Sequence, residues 1–378
     1  MPHWNVQDDY LELQKMPFYW RLSDHPTPTI GIEPRLGIRV RLNLEHNYLQ
    51  YIPTNMEWEV IDAAYRQNEN IGFINPESGQ LNTYGSSVNN YFLKVIEDCQ
   101  PRSIYEIGCG AGFTIQFLKE KGWDVTGIDP SEYSLRWSER LGFKIINEFF
   151  NVGMIKGSAD LIYCNDVFEH VRMVEDFSRN VFESLKIGGA FSFATTNSDR
   201  SIELGDISML EHQHVNMFTE RSIHSILRSA GFTRIDMNKG SYGNTFHVTA
   251  FKGPGKAIKD LPVRLTHGFF ERACRRIEAF ERFYHAKAKS CGFYVPLRCI
   301  PWLAAVGDFG ESDVFDSNPS WRGKFIDGYS QAIKCTQDVQ VVPDQSFFVG
   351  SLTFLEEISA MLESKGVLPT NIFSILSV

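Results

Sequence analysis

Two clusters of residues in this 378-residue chain have types and spacings suited to chemistry. The first is Glu106-Ile-Gly-Cys-Gly-Ala-Gly112, an acid followed by glycines at alternate positions. Such glycines let a backbone turn sharply and approach a ligand with no Cβ in the way. The second is Glu211-His-Gln-His-Val-Asn-Met-Phe218. Its histidines, His212 and His214, belong to a residue type with an ordinary pKa of about 6.5, mostly neutral at pH 7 and fit to accept a proton. A third group, Asp129 at the end of Gly127-Ile-Asp129, offers a carboxylate that can accept hydrogen bonds from two neighbouring hydroxyls. Asp129 is also placed to cap the helix that follows Pro130-Ser131, and both readings stand.

The elements that position these groups alternate strand and helix. A helical pattern over Ser86–Asp98 puts Val88, Tyr91, Phe92 and Val95 on one face. Strands are expected at Ser103–Ile107, Asp124–Ile128, Lys144–Ile146, Asp160–Cys164 and Ala190–Ala194. Helices are expected at Thr114–Lys121, Ser131–Leu141, Met173–Leu185 and Thr219–Ala230, the last closed by Gly231. Two further strand-like runs fill 232–252, separated by residues 240–244. This alternation implies a doubly wound, mostly parallel sheet whose ligands sit at the carboxyl ends of the strands. The glycine turn follows a strand and opens a helix, as in dinucleotide-binding turns. There, however, the third glycine comes three residues after the second, whereas here Phe113 takes that position, which disfavours a pyrophosphate seat and an NAD-dependent oxidoreductase.

The acid and Gly-x-Gly-x-Gly run resembles the first motif of class I S-adenosylmethionine-dependent methyltransferases. The resemblance implies an α/β fold with a seven-stranded Rossmann-like sheet and S-adenosyl-L-methionine as cofactor. It implies that Glu106, Gly108, Cys109, Gly110 and Gly112 wrap the amino-acid and ribose portions of the cofactor, and that Asp129, beside Pro130, grips the ribose. Asn165-Asp-Val-Phe-Glu-His-Val171 is similar to the family's Asp-Val-Leu-Glu-His-Val signature. It implies that Asn165, Asp166, Val167 and His170 border the methionine end, with Glu169 and His170 either catalytic or orienting the loop. Asn147-Glu-Phe149 follows the third strand, where the family places adenine contacts, which makes Phe149 a cofactor residue. Tyr84-Gly-Ser-Ser resembles a stretch that lids the cofactor in sugar methyltransferases; Tyr84 either faces the sulfonium or packs in the core.

Residues 211–232 are similar to a segment of methyltransferases that act on nucleotide-linked sugars and surface glycans. In the sugar C-methyltransferase branch the run is Tyr-His-Glu-His-x-x-Tyr-Phe. Here His212 and His214 are kept, Gln213 replaces the inner acid and Glu211 the leading Tyr. Deprotonating a sugar carbon takes a base and a second group to hold the enolate, whereas a hydroxyl needs only one well-placed base. The substitutions therefore point to O-methylation with His214 as base and His212 as the second candidate. Val314–Phe325, with Asp316 and Asn318-Pro319, resembles the C-terminal Rossmann-like domain of the same branch; Ala305–Gly310 is its candidate glycine turn. That unit, expected to comprise Cys299–Val306, Ser312–Asp316, Gln340–Val342, Phe347–Val349 and a helix over Thr353–Ser364, is read as an acceptor-binding or structural platform. The four-Cys zinc knuckle found in that branch is missing, since no Cys precedes Cys99.

The chain divides into a lead-in or lid region with a few strands, such as Gly37–Leu42 (1–80), a cofactor domain (81–254) and a helical connector with a C-terminal α/β domain (255–378). Hydrophobic residues at 43% and charged ones at 22% fit a folded globular chain. The aromatic content, with 29 Phe, fits aromatic-rich cores or a ring-binding cleft. A net charge of −9 and no basic block argue against nucleic acid. Seven Cys with no Cys-x-x-Cys give no metal site and suit a reducing cytoplasm. No signal peptide and no run of about 18 apolar residues is seen. The expected substrate is a small molecule or glycan, such as a nucleotide-linked sugar. Alternatives are sugar C-methylation, natural-product O-methylation and a non-catalytic scaffold, with oligomeric state open.

Overall fold

The computed structural model describes residues 3–18, 22–26, 35–66, 83–151, 153–155, 157–240, 244–253, 268–287, 290–339 and 345–378. Its central sheet has seven strands in the order Arg234–Lys239, Thr245–Phe251, Leu185–Thr196, Ala159–Asn165, Ile104–Ile107, Val125–Ile128 and Lys144–Ile146. Neighbours run parallel except Thr245–Phe251, which is antiparallel to the strands on both its sides. The first strand in sequence, Ile104–Ile107, lies between the second and the fourth. Chain order therefore reverses there, and a crevice opens at the carboxyl ends of Ile104–Ile107 and Ala159–Asn165.

Local sequence explains the elements around it. Leu161–Cys164 is buried on both faces, as expected of a parallel strand covered by helices on each side. Ser131 Oγ accepts from Ser134 N at 3.1 Å and starts the Glu132–Leu141 helix, which Gly142 ends at φ 67°. Thr219 and Ser222 form a reciprocal cap for Glu220–Ala230, and Gly231 stops it. Phe168 is fully buried, 4.5 Å from the Phe193 ring and 4.9 Å from Phe218, so here the phenylalanines fill the core under the crevice.

The described residues of the N-terminal region carry strands, as expected there. Trp4–Val6, Tyr10–Pro17, Arg35–Asn43 and Tyr48–Tyr51 form an antiparallel sheet, completed by Asn216–Met217 from far along the chain. Helix Asn55–Arg66 follows it.

Residues 291–374 contain a five-stranded parallel sheet in the order Lys334–Cys335, Asp313–Asp316, Cys291–Tyr294, Ser346–Val349 and Ile372–Ser374. Its details correct the sequence reading. Cys299–Val306 opens no strand: most of it belongs to helix Pro296–Ala305, whose residues Cys299–Ala305 are all buried. The central strand is instead Cys291–Tyr294. Ala305–Gly310 is the exit of that helix rather than a strand-to-helix turn. The expected run at 340–342 lies outside the described residues. Leu11, Leu13, Ile38 and Val40 of the N-terminal sheet share one core with Phe280, Ile300, Trp302 and Leu303, so the two ends of the chain pack together.

Candidate active site

The crevice is a cleft of about 740 Å³. Its floor is the Glu106–Ala111 turn and the Asn165–Arg172 loop, one following each of the two central strands. Trp58, Asp62 and Tyr65 of helix Asn55–Arg66 form one wall, and Arg298, Ser351, Thr353 and Phe354 form another. A smaller cavity of about 130 Å³ adjoins it and shares Thr196, His214, Asn244, Arg298, Ser351 and Thr353 with it.

Two glycines explain the turn. Gly108 sits at φ 70°, and a Cβ there would lie 2.4 Å from Val167 Cγ2, so the two loops touch only because the side chain is missing. Gly110 sits at φ 49° with nothing within 4 Å of its absent Cβ, so its backbone faces open space. Asp129 braces the turn. Its Oδ2 accepts from Gly110 N at 2.9 Å, and its Oδ1 accepts from Ser131 N at 2.9 Å and Ser131 Oγ at 2.6 Å. Asp129 thus lines the cleft and holds Ser131, and it is Ser131 rather than Asp129 that caps the helix. With three of its roughly four lone pairs engaged, one acceptor position on Oδ2 remains for a ligand. Glu106 is buried and accepts from Tyr163 Oη at 2.9 Å. Burial pushes its carboxyl up to about 8; the Tyr163 bond works against the rise and the Asp129 charge adds to it.

Across the floor, Asp166 takes a left-handed conformation, φ 48°, and accepts from Tyr84 Oη at 2.7 Å. Burial raises its carboxyl, with the Glu169 charge adding to the effect. Both amide atoms of the Asn165 side chain, buried beside it, lack a partner among the described residues. Glu169 is fully buried; its Oε2 accepts from Thr195 Oγ1 at 2.8 Å, while its Oε1 has no partner among the described residues. Phe149 is 42% exposed at the rim, with the Arg66 guanidinium 4.8 Å from its ring centre.

At the far end, His170 Nδ1 lies 2.8 Å from the Gln213 carbonyl and 2.9 Å from Tyr65 Oη. A carbonyl only accepts, so Nδ1 carries the proton and Nε2 keeps its lone pair. Burial lowers the His170 pKa and keeps the ring neutral. His214 Nε2 lies 2.8 Å from Glu211 Oε1, and its ring meets that of His170 edge to face at 4.7 Å. Burial opposes charge on His214, but the Glu211 carboxylate outweighs it and the net shift is upward. Burial likewise works against the Glu211 charge, yet His214 holds that carboxyl down at about 2. Arg298 stands near this pair and donates to Ser208 O at 3.2 Å. Its helix starts from Val295 at φ 63°, a strained conformation for a β-branched residue.

The cleft therefore brings together Tyr84, Glu106, Gly108, Cys109, Gly110, Asp129, Pro130, Phe149, Asn165, Asp166, Val167, His170 and His214. Two expected residues lie elsewhere. Gly112 shapes the turn from outside the cleft, since a Cβ there would lie 2.2 Å from the Phe143 ring. His212 is buried at the N-terminal sheet, where Nε2 donates to Leu36 O at 3.2 Å and the ring sits 5.4 Å from Phe18 and 5.8 Å from Tyr51. Burial lowers its pKa to about 4. It packs in the core and does not reach the cleft. The sequence reading left out Glu211, although its position three residues before His214 was a usable signal. It also left out Tyr65, Arg298 and Ser351, whose approach depends on tertiary packing alone.

Residues 83–236 match the model of a family described as a methyltransferase domain. Similar curated proteins include the ubiquinone biosynthesis O-methyltransferase of Hydrogenovibrio crunogenus, 23% identical over 158 residues, covering 37% of this chain and 66% of that protein. The protein of the same name from Bordetella avium is 28% identical over 134 residues, covering 33% of this chain and 55% of its own length. The chain thus spans about half to two thirds of the length of these relatives. Among solved structures, a possible histamine N-methyltransferase from Thermotoga maritima aligns with TM-score 0.35 and 18% identity over 44% of this chain and 90% of its own.

Proposed function

Because residues 83–236 form a class I S-adenosylmethionine-dependent methyltransferase domain, we propose that the chain moves a methyl group from S-adenosylmethionine to a hydroxyl of a polar small molecule, a sugar or glycan precursor above all. One observation carries this reading: an open glycine turn and a proton-accepting dyad, His214 with Glu211, share one cleft. The residues fit the cofactor. Gly110 leaves open backbone, Asp129 Oδ2 keeps one acceptor position for a ribose hydroxyl, and the unpartnered Asn165 amide offers a donor and an acceptor. Tyr84 acts here through its bond to Asp166.

When bound, the cofactor would supply an electrophilic methyl carbon, to which an acceptor oxygen would bond as the C–S bond breaks and its electron pair leaves with the thioether sulfur. The chain's own part is to position the acceptor and take its proton. Glu211 holds His214 through Nε2, which leaves the other ring nitrogen to accept the hydroxyl proton. Oxygen as acceptor agrees with the names of the curated relatives, which are O-methyltransferases. A sugar fits the polar end of the cleft, where Thr196, Asn244, Ser351 and Thr353 offer hydroxyl and amide groups around His214 and Arg298. In this reading residues 1–80 and 255–378 serve the 81–254 domain as walls of the acceptor side. Seven free thiols agree with a reducing, cytoplasmic setting.

The test is a methyl-transfer screen over nucleotide-linked sugars, glycans and phenols with labelled cofactor. A sugar product is expected, with turnover by His214→Ala lower by on the order of 10²–10⁴ and cofactor affinity retained. Transfer to phenols alone removes the sugar assignment. Unchanged turnover removes His214 from its role.

A further inference from the structure

We infer that Glu169, His170 and His214 form a binding site for a divalent transition-metal cation at the acceptor end of the cleft. Each offers a ligand atom, and the three atoms lie within 4.8 Å of one another. Two imidazoles and one carboxylate suit manganese, iron, cobalt or zinc and leave coordination positions open. Around a single ion, metal–ligand bonds of about 2.1–2.2 Å keep any two ligand atoms within about 4.4 Å. Small inward shifts therefore complete the site.

Two independent features point to an occupant. Glu169 is fully buried, and its Oε1 has no partner among the described residues. Leaving a carboxylate oxygen dry and unbonded is costly, and a cation meets that demand. Second, every candidate ligand is already held from behind, as metal ligands characteristically are. His170 Nδ1 donates to the Gln213 carbonyl at 2.8 Å, which directs its remaining lone pair elsewhere. His214 is gripped by Glu211 at 2.8 Å. Glu169 Oε2 accepts from Thr195 at 2.8 Å. The absence of cysteine pairs spoke against a metal at the sequence level, but this donor set needs none.

An open position on the ion faces the cleft and takes an oxygen of a hydroxylated acceptor. The ion competes with proton transfer for the same His214 lone pair, so a loss of turnover in His214→Ala has two explanations. Cation binding is measured on the resting protein without methyl transfer, and its failure leaves the proton-acceptor reading intact. Failure of cofactor binding, conversely, leaves this site standing.

The experiment titrates the full chain with Mn²⁺, following free ion by electron paramagnetic resonance, and then reads electron spin-echo modulation of the bound ion. One ion per chain is expected, with couplings from two imidazole nitrogens. His170→Asn should leave one coupling, and Glu169→Gln should abolish tight binding. Thr195→Val, a milder change behind Glu169, should weaken binding by about 10-fold. Should Glu169→Gln fail to fold, the wild-type couplings decide. No binding in the millimolar range overturns the inference. So does a bound ion without imidazole couplings, or one indifferent to His170→Asn.

Discussion

Replacing Glu106 by Gln should uncouple cofactor binding from pH. The Glu106 carboxyl sits at about 8 instead of 4.5, chiefly because it is buried. That rise corresponds to about 5 kcal/mol favouring the protonated form in the unliganded protein, as an order of magnitude. S-adenosylmethionine brings a sulfonium and an ammonium charge into the cleft that Glu106 lines. Cationic charge nearby favours the carboxylate, so binding should expel the proton. If the liganded carboxyl returns to its ordinary range, affinity rises up to about tenfold per pH unit below 8. Between pH 6 and 7.5, where the ligand's amine stays mostly charged, the wild type should gain up to about 30-fold. Glu106→Gln should show no such slope. The sign for stability is opposite. An acid whose folded pKa is raised contributes fully below about 4.5, and that contribution is lost as pH climbs to about 8. The variant's stability relative to wild type should therefore grow over the same window. Calorimetry in buffers of different ionisation enthalpy counts the released protons, and urea unfolding at pH 5 and 8 gives the stability arm. Equal wild-type affinity at pH 6 and 7.5 with no proton release refutes the reasoning.

The glycines of the turn should separate packing from binding. Gly108→Ala forces a Cβ into Val167 and should cost about 1–3 kcal/mol, read by chemical denaturation. Gly110→Ala meets no protein atom, so it should cost only about 1–2 kcal/mol for its left-handed backbone while cofactor affinity, measured by calorimetry, falls more than its stability does. Asp129→Ala removes a charged acceptor from both Gly110 and the ligand and should weaken cofactor binding by on the order of 10–100-fold. His212→Ala should lower the unfolding free energy by about 1–3 kcal/mol through lost packing and the lost bond to Leu36, with turnover per folded molecule unchanged.

Where the sequence was legible, period and punctuation agreed. Short apolar strands, a glycine turn and capped helices follow one another over 103–251, and each signal is local. The C-terminal unit was harder. Cys299–Ala305 is apolar throughout, and such a run reads equally as a buried strand or a buried helix. Pro296 at the first turn and an exit at Gly307 were the cues that favoured helix. Cys291–Tyr294 has only four residues and a glycine, too little pattern to register. The two histidines diverge for a different reason. Had 211–215 been extended, residues two apart would share a face. Instead the chain bends at His212 and Gln213, sending one imidazole into the N-terminal core and the other into the cleft. Arg298 and Tyr65 carry no local signal at all, because distant segments bring them to the site.

Asn216–Met217 is the fifth strand of a sheet whose other four come from residues 4–51. Two residues upstream sits His214. The imidazole is therefore moored to the opening segment of the chain as much as to the domain that surrounds it. Trimming that segment would cut the mooring, and an isolated 83–251 fragment could still close around adenosine while its acceptor end drifted out of register. Transplanting this active site onto another scaffold means carrying both pieces.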